Sequence, residues 1–211
     1  MSSNDRKLHE LLRFLDTLSY IKPEQIPSID LYMDQVTSLM EERLKKVKRH
    51  DDDKVLTKTM INNYAKAKIL PAPDKKKYSK EHMFILLFIY YYKSVLSLSD
   101  IATILDPLIN RYFKNSDGLN VEDIYKEAFN MEYSQMNVLK NDIKEKFKLA
   151  KQTFSEDNGK IAALSEEDRE ELRLFSFICE LSFDVYLKKL IIEKLCDSIS
   201  EESRDRNKKS K

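Results

Sequence analysis

The sequence contains very little glycine, and this scarcity excludes several fold classes. Only two of the 211 residues are glycine, and five are proline. All-β folds need turn residues about every 8–12 positions, and nucleotide-binding loops need closely spaced glycines. Because neither pattern is present, we expect most of the chain to be helical.

Cysteine is also scarce, and the chain has no long apolar run. Cys179 and Cys196 lie in one predicted helix, roughly 25 Å apart along its axis, which excludes a disulfide between them. We expect both to be reduced, buried thiols. The most apolar run, residues 83–92, is about half the length needed to span a bilayer. These features predict a cytoplasmic protein with no membrane partner.

Catalytic motifs are missing as well. His9, His50 and His82 are isolated from one another and from the cysteines, without the spacing of metal ligands. No serine lies in a GxSxG turn. The acidic residues 51–53 are interpreted as a solvated turn. We therefore expect no enzymatic activity, no metal and no cofactor.

Positive charge is concentrated in one part of the chain. The net charge is +1, yet residues 54–80 contain eight lysines and a single acidic residue, Asp74, for a local charge of +7. The rest of the chain is acidic. A basic block of this kind indicates an anionic partner, for which nucleic acid is the usual candidate.

Apolar spacing and capping residues predict four parts of the chain. Residues 1–27 contain an N-terminal helix, residues 28–113 a DNA-binding domain, residues 119–199 a helical hairpin and residues 200–211 a disordered tail. Helix N-caps are predicted at Ser79, Ser97, Asn120 and Ser165. Asp106 followed by Pro107 predicts a new helix start.

A helix-turn-helix is predicted inside the second part. A polar turn at residues 50–53 precedes a short helix over residues 57–68, which is geometry suited to a DNA major groove. Asparagine can read adenine, while lysine and threonine contact phosphates or guanine. A solvated helix surface is the alternative interpretation. The candidate DNA-contacting residues on this helix are Thr57, Lys58, Asn62, Asn63 and Lys66.

Three adjacent lysines follow that helix in a predicted loop. Lys75, Lys76 and Lys77 come after Pro71 and Pro73, in the place that a wing occupies in a winged helix. We interpret them as phosphate contacts. A run of lysines that only increases solubility is the alternative.

Residues 61–101 resemble the DNA-binding region of MerR-type regulators. Asn62, Asn63 and Lys68 stand where that family has Arg, Tyr and Gly. The resemblance implies a winged-helix DNA-binding regulator that dimerises through the helices after the wing. The matching positions are Ile61, Tyr64, Ile69, Leu70, Lys76, Tyr78, Ser97, Leu98, Asp100 and Ile101.

Two segments are similar, nearly whole, to an uncharacterised bacterial family, the domain of unknown function eighteen thirty-six. These segments are residues 30–36 and 56–82. The combined prediction is a mainly α fold, with a MerR-like winged helix-turn-helix followed by a long antiparallel helical hairpin. The predicted function is sequence-specific binding to double-stranded DNA by a homodimer that regulates transcription. The alternative, favoured by the acidic remainder of the chain, is a protein-interaction module that keeps the fold without binding DNA.

Overall fold

The computed structural model describes residues 2–18, 20–155 and 159–209. Over these ranges the protein is mainly helical, as predicted, and has one antiparallel sheet of two short strands. The helices are α1 (Ser3–Thr17), α2 (Met33–Leu44), α3 (Lys58–Lys66), α4 (Lys80–Tyr92), α5 (Leu98–Tyr112), α6 (Val121–Lys151) and α7 (Glu166–Lys209). The strands are β1 (Leu31–Tyr32) and β2 (Lys77–Tyr78), and 3-10 helices cover Pro23–Gln25 and Lys45–Val47.

The chain divides into two compact units, and helices α6 and α7 contribute residues to both. The first unit consists of Met1–Ser19 and Met131–Leu190, and the second consists of Tyr20–Asn130 and Ile191–Lys211. The sequence placed the main boundary at residues 114–118, before α6. The division falls later because Val121 and Tyr125 are completely buried in the core of the second unit. The Tyr125 hydroxyl also donates a hydrogen bond to the Ile21 carbonyl at 2.7 Å.

Helix α4 forms the centre of the second unit. Every residue from His82 to Ile89 is buried, because a helix that is apolar nearly all round must be covered on all sides. Helices α2, α3, α5 and α6 contribute to the same core. The completely or nearly completely buried side chains from these helices are Val36, Met40, Ile61, Ile101, Leu105, Val121 and Tyr125.

The predicted helix starts are confirmed by their caps. In three of them the capping side chain accepts a hydrogen bond from the backbone N–H three residues later and that residue's carboxylate accepts one in return, which satisfies two otherwise unpaired donors. The fourth cap, Ser79, donates its backbone N–H to His82 Nδ1. The three reciprocal pairs are Ser97 with Asp100, Asn120 with Asp123 and Ser165 with Asp168.

The predicted helix start at Asp106 and Pro107 is wrong. Helix α5 continues through Pro107, which is exposed on the solvent side. The apolar positions Ile101 and Leu105 before the proline and Leu108 after it keep helical spacing and pack against the core. This packing holds the helix together across a residue that lacks a backbone donor.

Two other boundaries differ from the prediction. Residues 45–57 connect α2 to α3, so the connection is longer than the tight turn expected of a helix-turn-helix. Helix α7 continues through residues 200–209, where the sequence predicted disorder from the absence of an apolar pattern. Cys196 is buried just before this extension, and the Thr103 and Ser200 hydroxyls are 3.5 Å apart. The Thr103 contact connects α5 with the beginning of this extension.

The first unit combines α1 with parts of α6 and α7. Phe147 of α6 and Phe177 of α7 meet edge to face, with ring centroids 5.3 Å apart. Lys146 pairs with Asp184 at 2.9 Å, so an earlier α6 residue meets a later α7 residue and the helices run antiparallel here. Asn4 of α1 donates to the Glu170 carbonyl at 2.6 Å.

The two cysteines differ in their exposure to solvent. Both cysteines are free; Cys196 is buried, but Cys179 is exposed, so the prediction of two buried thiols is wrong for Cys179.

None of the described helices combines the length and the apolarity that crossing a membrane requires. Within the described ranges, no three metal-ligating side chains converge.

His82 is a buried polar residue at the start of α4. Its Nδ1 accepts from the Ser79 N–H at 3.0 Å, and its Nε2 lies 3.3 Å from the Ala72 carbonyl. The proton of the neutral ring therefore belongs on Nε2. Burial lowers the pKa of His82 below its ordinary value of 6.5, and the nearby Lys114 charge acts in the same direction.

We predict that this histidine makes the second unit less stable in acid. A folded-state pKa below the unfolded one stabilises the protein fully above pH 6.5, and this contribution is lost as the pH falls below that value. The free energy of unfolding, measured in urea between pH 7.5 and 5, should decrease less in His82→Gln than in wild type. The matched control is His50→Gln, at an exposed position; equal pH dependence in all three proteins would contradict the prediction.

Candidate nucleic-acid interface

Helix α3 separates an apolar face from a polar one. Its N-cap is Thr57, whose side-chain oxygen accepts from the Met60 N–H at 3.1 Å. Ile61 and Tyr64 are buried, and burial raises the pKa of the Tyr64 hydroxyl. The opposite side, called the α3 face below, is exposed and consists of Lys58, Thr59, Asn62, Asn63 and Lys66.

The predicted residues of α3 fall into two groups. Asn62, Asn63 and Lys66 are exposed, and their side chains bond to no residue that the structure describes. Their donors and acceptors are available to a ligand. Thr57 is half-buried and engaged as the helix cap, and Lys58 forms an ion pair with Asp34 in the first turn of α2. These two side chains therefore already have partners inside the protein.

Residues 74–77 form a tight turn, called the lysine turn below. The Lys77 N–H donates to the Asp74 carbonyl at 2.7 Å, which closes the turn. Its two central residues have positive φ, 47° at Lys75 and 66° at Lys76. This is the pattern of a type I′ turn, in which asparagine and glycine are preferred because a Cβ atom is strained there.

The short sheet attaches the lysine turn to the start of α2. Strand β2 pairs antiparallel with β1, so that Leu31 is opposite Tyr78 and Tyr32 is opposite Lys77. Leu31 and Tyr78 are buried. The Lys77 ammonium lies 5.2 Å from the ring centre of the exposed Tyr32. Of the three predicted lysines, Lys75 and Lys76 are exposed, whereas Lys77 is half-buried.

The two predicted parts of the site meet at the start of α2. Lys77 contacts Tyr32, and Lys58 pairs with Asp34 only two residues further along the chain. The beginning of α3 and the end of the lysine turn thus both contact the first residues of α2 and the strand before it. The resulting surface presents uncharged asparagine side chains together with unpaired lysines, and it can contact an anionic polymer that also has hydrogen-bonding groups.

The end of α3 has a conformation that usually requires glycine. Lys68 follows the helix with a φ of 58°, and the Ile69 N–H donates back to the Tyr64 carbonyl at 3.0 Å. This is the bonding of a Schellman motif, whose left-handed position is most often glycine. Lys68 is exposed, so another positive charge lies at the end of the α3 face.

Several residues of this surface were missed by the sequence analysis. Thr59 lies three positions before Asn62 and four before Asn63, so helical spacing alone places it on the α3 face. The roles of Tyr32 and Asp34 depend on contacts between distant elements, which no local pattern reveals.

Comparison with known proteins identifies the family of this chain. It belongs to the family described as Domain of unknown function (DUF1836), whose model matches residues 21–128. This range nearly coincides with Tyr20–Asn130 of the second unit, so the family corresponds to a structural unit that contains the whole candidate site. No curated protein and no solved structure matches the chain.

We predict that the lysine turn reduces the stability of the protein. Replacing Lys75→Asn and Lys76→Gly together should raise the free energy of unfolding by about 1–2 kcal/mol, because the new residues adopt positive φ with less strain. Urea unfolding at constant pH measures the change.

The matched control for this experiment is Lys75→Gln with Lys76→Gln. It removes the same two charges but keeps two Cβ-bearing side chains that disfavour positive φ. We expect no comparable gain in stability from this pair. If both double variants are stabilised equally, charge repulsion rather than backbone strain is the cause.

Proposed function

We propose that the protein binds double-stranded DNA in a sequence-specific manner and regulates transcription as a homodimer. In this proposal the second unit contains a MerR-like winged helix-turn-helix: α2 and α3 are the helix pair, and the lysine turn is the wing. The order β1, α2, α3, β2 and α4, with β2 paired back to β1, supports this assignment. The longer connection between α2 and α3 is a difference from a tight helix-turn-helix.

One observation carries the proposal. The α3 face and the lysine turn, which were selected from the sequence on chemical grounds, each contact the start of α2: Lys58 pairs with Asp34, and the Lys77 ammonium lies over the Tyr32 ring. The unpaired ammonium groups of Lys66, Lys75 and Lys76 suit phosphate contacts, which supply affinity for any sequence. The amides of Asn62 and Asn63 suit base edges, which supply specificity.

The homodimer is supported by an exposed apolar stripe on α7, in the first unit. The α7 stripe follows helical spacing and lies opposite Phe177 and Leu181, which pack toward the core of that unit. Its members are Phe175, Cys179, Phe183, Tyr186 and Leu190, all of them exposed. Phe175 and Phe183 are each 59% exposed.

A second copy of the chain is the occupant that we propose for this stripe. An aromatic side chain exposed to this degree contributes roughly 100 Å². With the neighbouring Ile178 and Leu187, also exposed, the surface reaches roughly 600 Å² per chain, close to the ~800 Å² per partner of a stable interface. A two-fold dimer pairs one such helix face with itself.

A competing function remains a protein-interaction module without DNA binding. The internal pairing of Lys58 with Asp34 favours it, since this pair neutralises one of the predicted phosphate contacts. The two functions differ in duplex binding, so the measurements that test the first also decide between them.

The two kinds of predicted DNA contact should respond differently to mutation. Lys75→Asn with Lys76→Gly should weaken binding to all duplexes and lower the salt slope by about 0.9 for each phosphate that is no longer neutralised. Asn62→Ala or Asn63→Ala should keep the slope and cost about 1–3 kcal/mol on a selected site only, because an uncharged side chain displaces no counterion. Fluorescence anisotropy between 50 and 300 mM KCl, about the range over which such slopes are measured, reports both.

Matched controls exclude indirect effects in this experiment. The lysine-turn variant is expected to fold more stably than wild type, so weaker binding cannot come from unfolding. Asn110→Ala removes an exposed asparagine from α5 and should bind as wild type does. Equal weakening on selected and random duplexes would contradict base reading by the asparagines, and an absence of duplex binding in wild type would favour the interaction module.

The dimer is tested by mass. Light scattering at micromolar concentration should give twice the 25.0 kDa chain mass. Phe183→Glu should yield monomers, because a carboxylate in the apolar interface would lose its hydration. The control is Val138→Glu on α6, which is also exposed but lies outside the stripe. A monomeric wild type would contradict the homodimer and the expectation of a palindromic binding site.

A further inference from the structure

A second group of cations lies outside the surface described so far. Residues 43–49 contain five cations and no acidic residue, and are called the basic segment below. It covers the end of α2 and the 3-10 helix Lys45–Val47. Four of its cations are exposed, and none of the four forms an ion pair with any described residue; they are Arg43, Lys45, Lys46 and Arg49.

The fifth cation, Lys48, fixes the position of the segment. Its ammonium lies 2.6 Å from Glu41 Oε1 and donates to the Asp51 carbonyl at 2.7 Å. The other carboxylate oxygen of Glu41 accepts from the Val55 N–H at 3.3 Å. These two hydrogen bonds lower the pKa of Glu41 below its ordinary value, and the one from Lys48 makes the larger contribution. Through these bonds the Glu41 carboxylate attaches the connection between α2 and α3 to helix α2.

This arrangement limits the distance between the basic segment and the α3 face. Lys45 is one helical turn, about 6 Å, beyond Glu41. Val55 precedes Lys58 by three residues, which span at most about 10 Å. With about 9 Å for the Glu41 side chain and its hydrogen bond to Val55, Lys45 therefore lies within roughly 25 Å of the start of α3, a length that corresponds to about seven base pairs along a duplex.

We infer that the basic segment is a second phosphate-binding surface, which contacts duplex DNA beside the part read by the α3 face. This inference rests on the proposed function. The long connection between α2 and α3 then has a purpose: it presents unpaired cations on a backbone that the Glu41–Lys48 pair holds in place. Duplex phosphate is favoured because the exposed cations are several, adjacent and without carboxylate partners, which suits a regularly spaced polyanion.

The test is a salt titration with matched charge changes. The segment variant combines Lys45→Gln, Lys46→Gln and Arg49→Gln, and the control combines Lys22→Gln, Arg111→Gln and Lys144→Gln, three exposed cations elsewhere. Binding to a random 40-base-pair duplex and to a shorter duplex that covers only the selected site is measured over a range of KCl concentrations. Urea unfolding establishes that both variants are folded.

The expected result is specific to the segment and to the long duplex. On the long duplex the segment variant should lose about 2–3 units of the salt slope and bind roughly ten-fold or more weakly at 0.1 M KCl, while the control keeps the slope of wild type. On the short duplex the segment variant and the control should bind alike, because the flanking phosphates are missing.

Each other outcome overturns a definite part of the argument. If wild type binds duplex DNA and the segment variant matches the control on both duplexes, the second surface is excluded and the proposed function stands. If the segment variant unfolds more easily but its DNA binding is unchanged, the cations stabilise the C-terminal end of α2 through the helix dipole and do not contact DNA. If wild type binds single-stranded RNA or polyglutamate but no duplex, both the proposed function and this inference fail.

Discussion

The burial of α4 on every side determines where the parts of the candidate interface lie. At its beginning, His82 reaches back to the Ala72 carbonyl, on the chain that leads into the lysine turn. At its end, Lys93 donates to the Val55 carbonyl at 3.0 Å, on the chain that leads into α3. A central helix that cannot shift without exposing apolar surface therefore holds both approaches to the site.

Local rules were sufficient to predict where helices begin and which face of α3 is exposed. Caps such as Ser97 and Asn120 act through the next three residues, so a short window of sequence contains the whole signal. The continuation of α5 through Pro107 and the inclusion of Tyr125 in the second unit depend instead on packing between distant elements. The same limit explains why Asp34 was missed: its lysine partner lies on another helix.

The scarcity of glycine has a structural counterpart in the basic block. Among the described residues, neither glycine has a positive φ, while Lys68, Lys75 and Lys76 all do. Glycine or asparagine would satisfy these backbone positions with less strain. A lysine there adds a charge at the tip or end of an element, where the side chain projects into solvent. At these three positions the backbone is less stable than it would be with glycine, and the side chains carry exposed positive charges.

The side chains of the proposed interface differ in whether they have contacts inside the protein. Lys58 and Lys77, next to the start of α2, contact Asp34 and Tyr32 at the surface of the protein. Further out, Asn62 and Lys76 are exposed, and their side chains form no hydrogen bond or ion pair with any residue that the structure describes. In the proposed function, a phosphate would have to compete with Asp34 for Lys58, so we expect this lysine to contribute less to non-specific DNA binding than an unpaired lysine would.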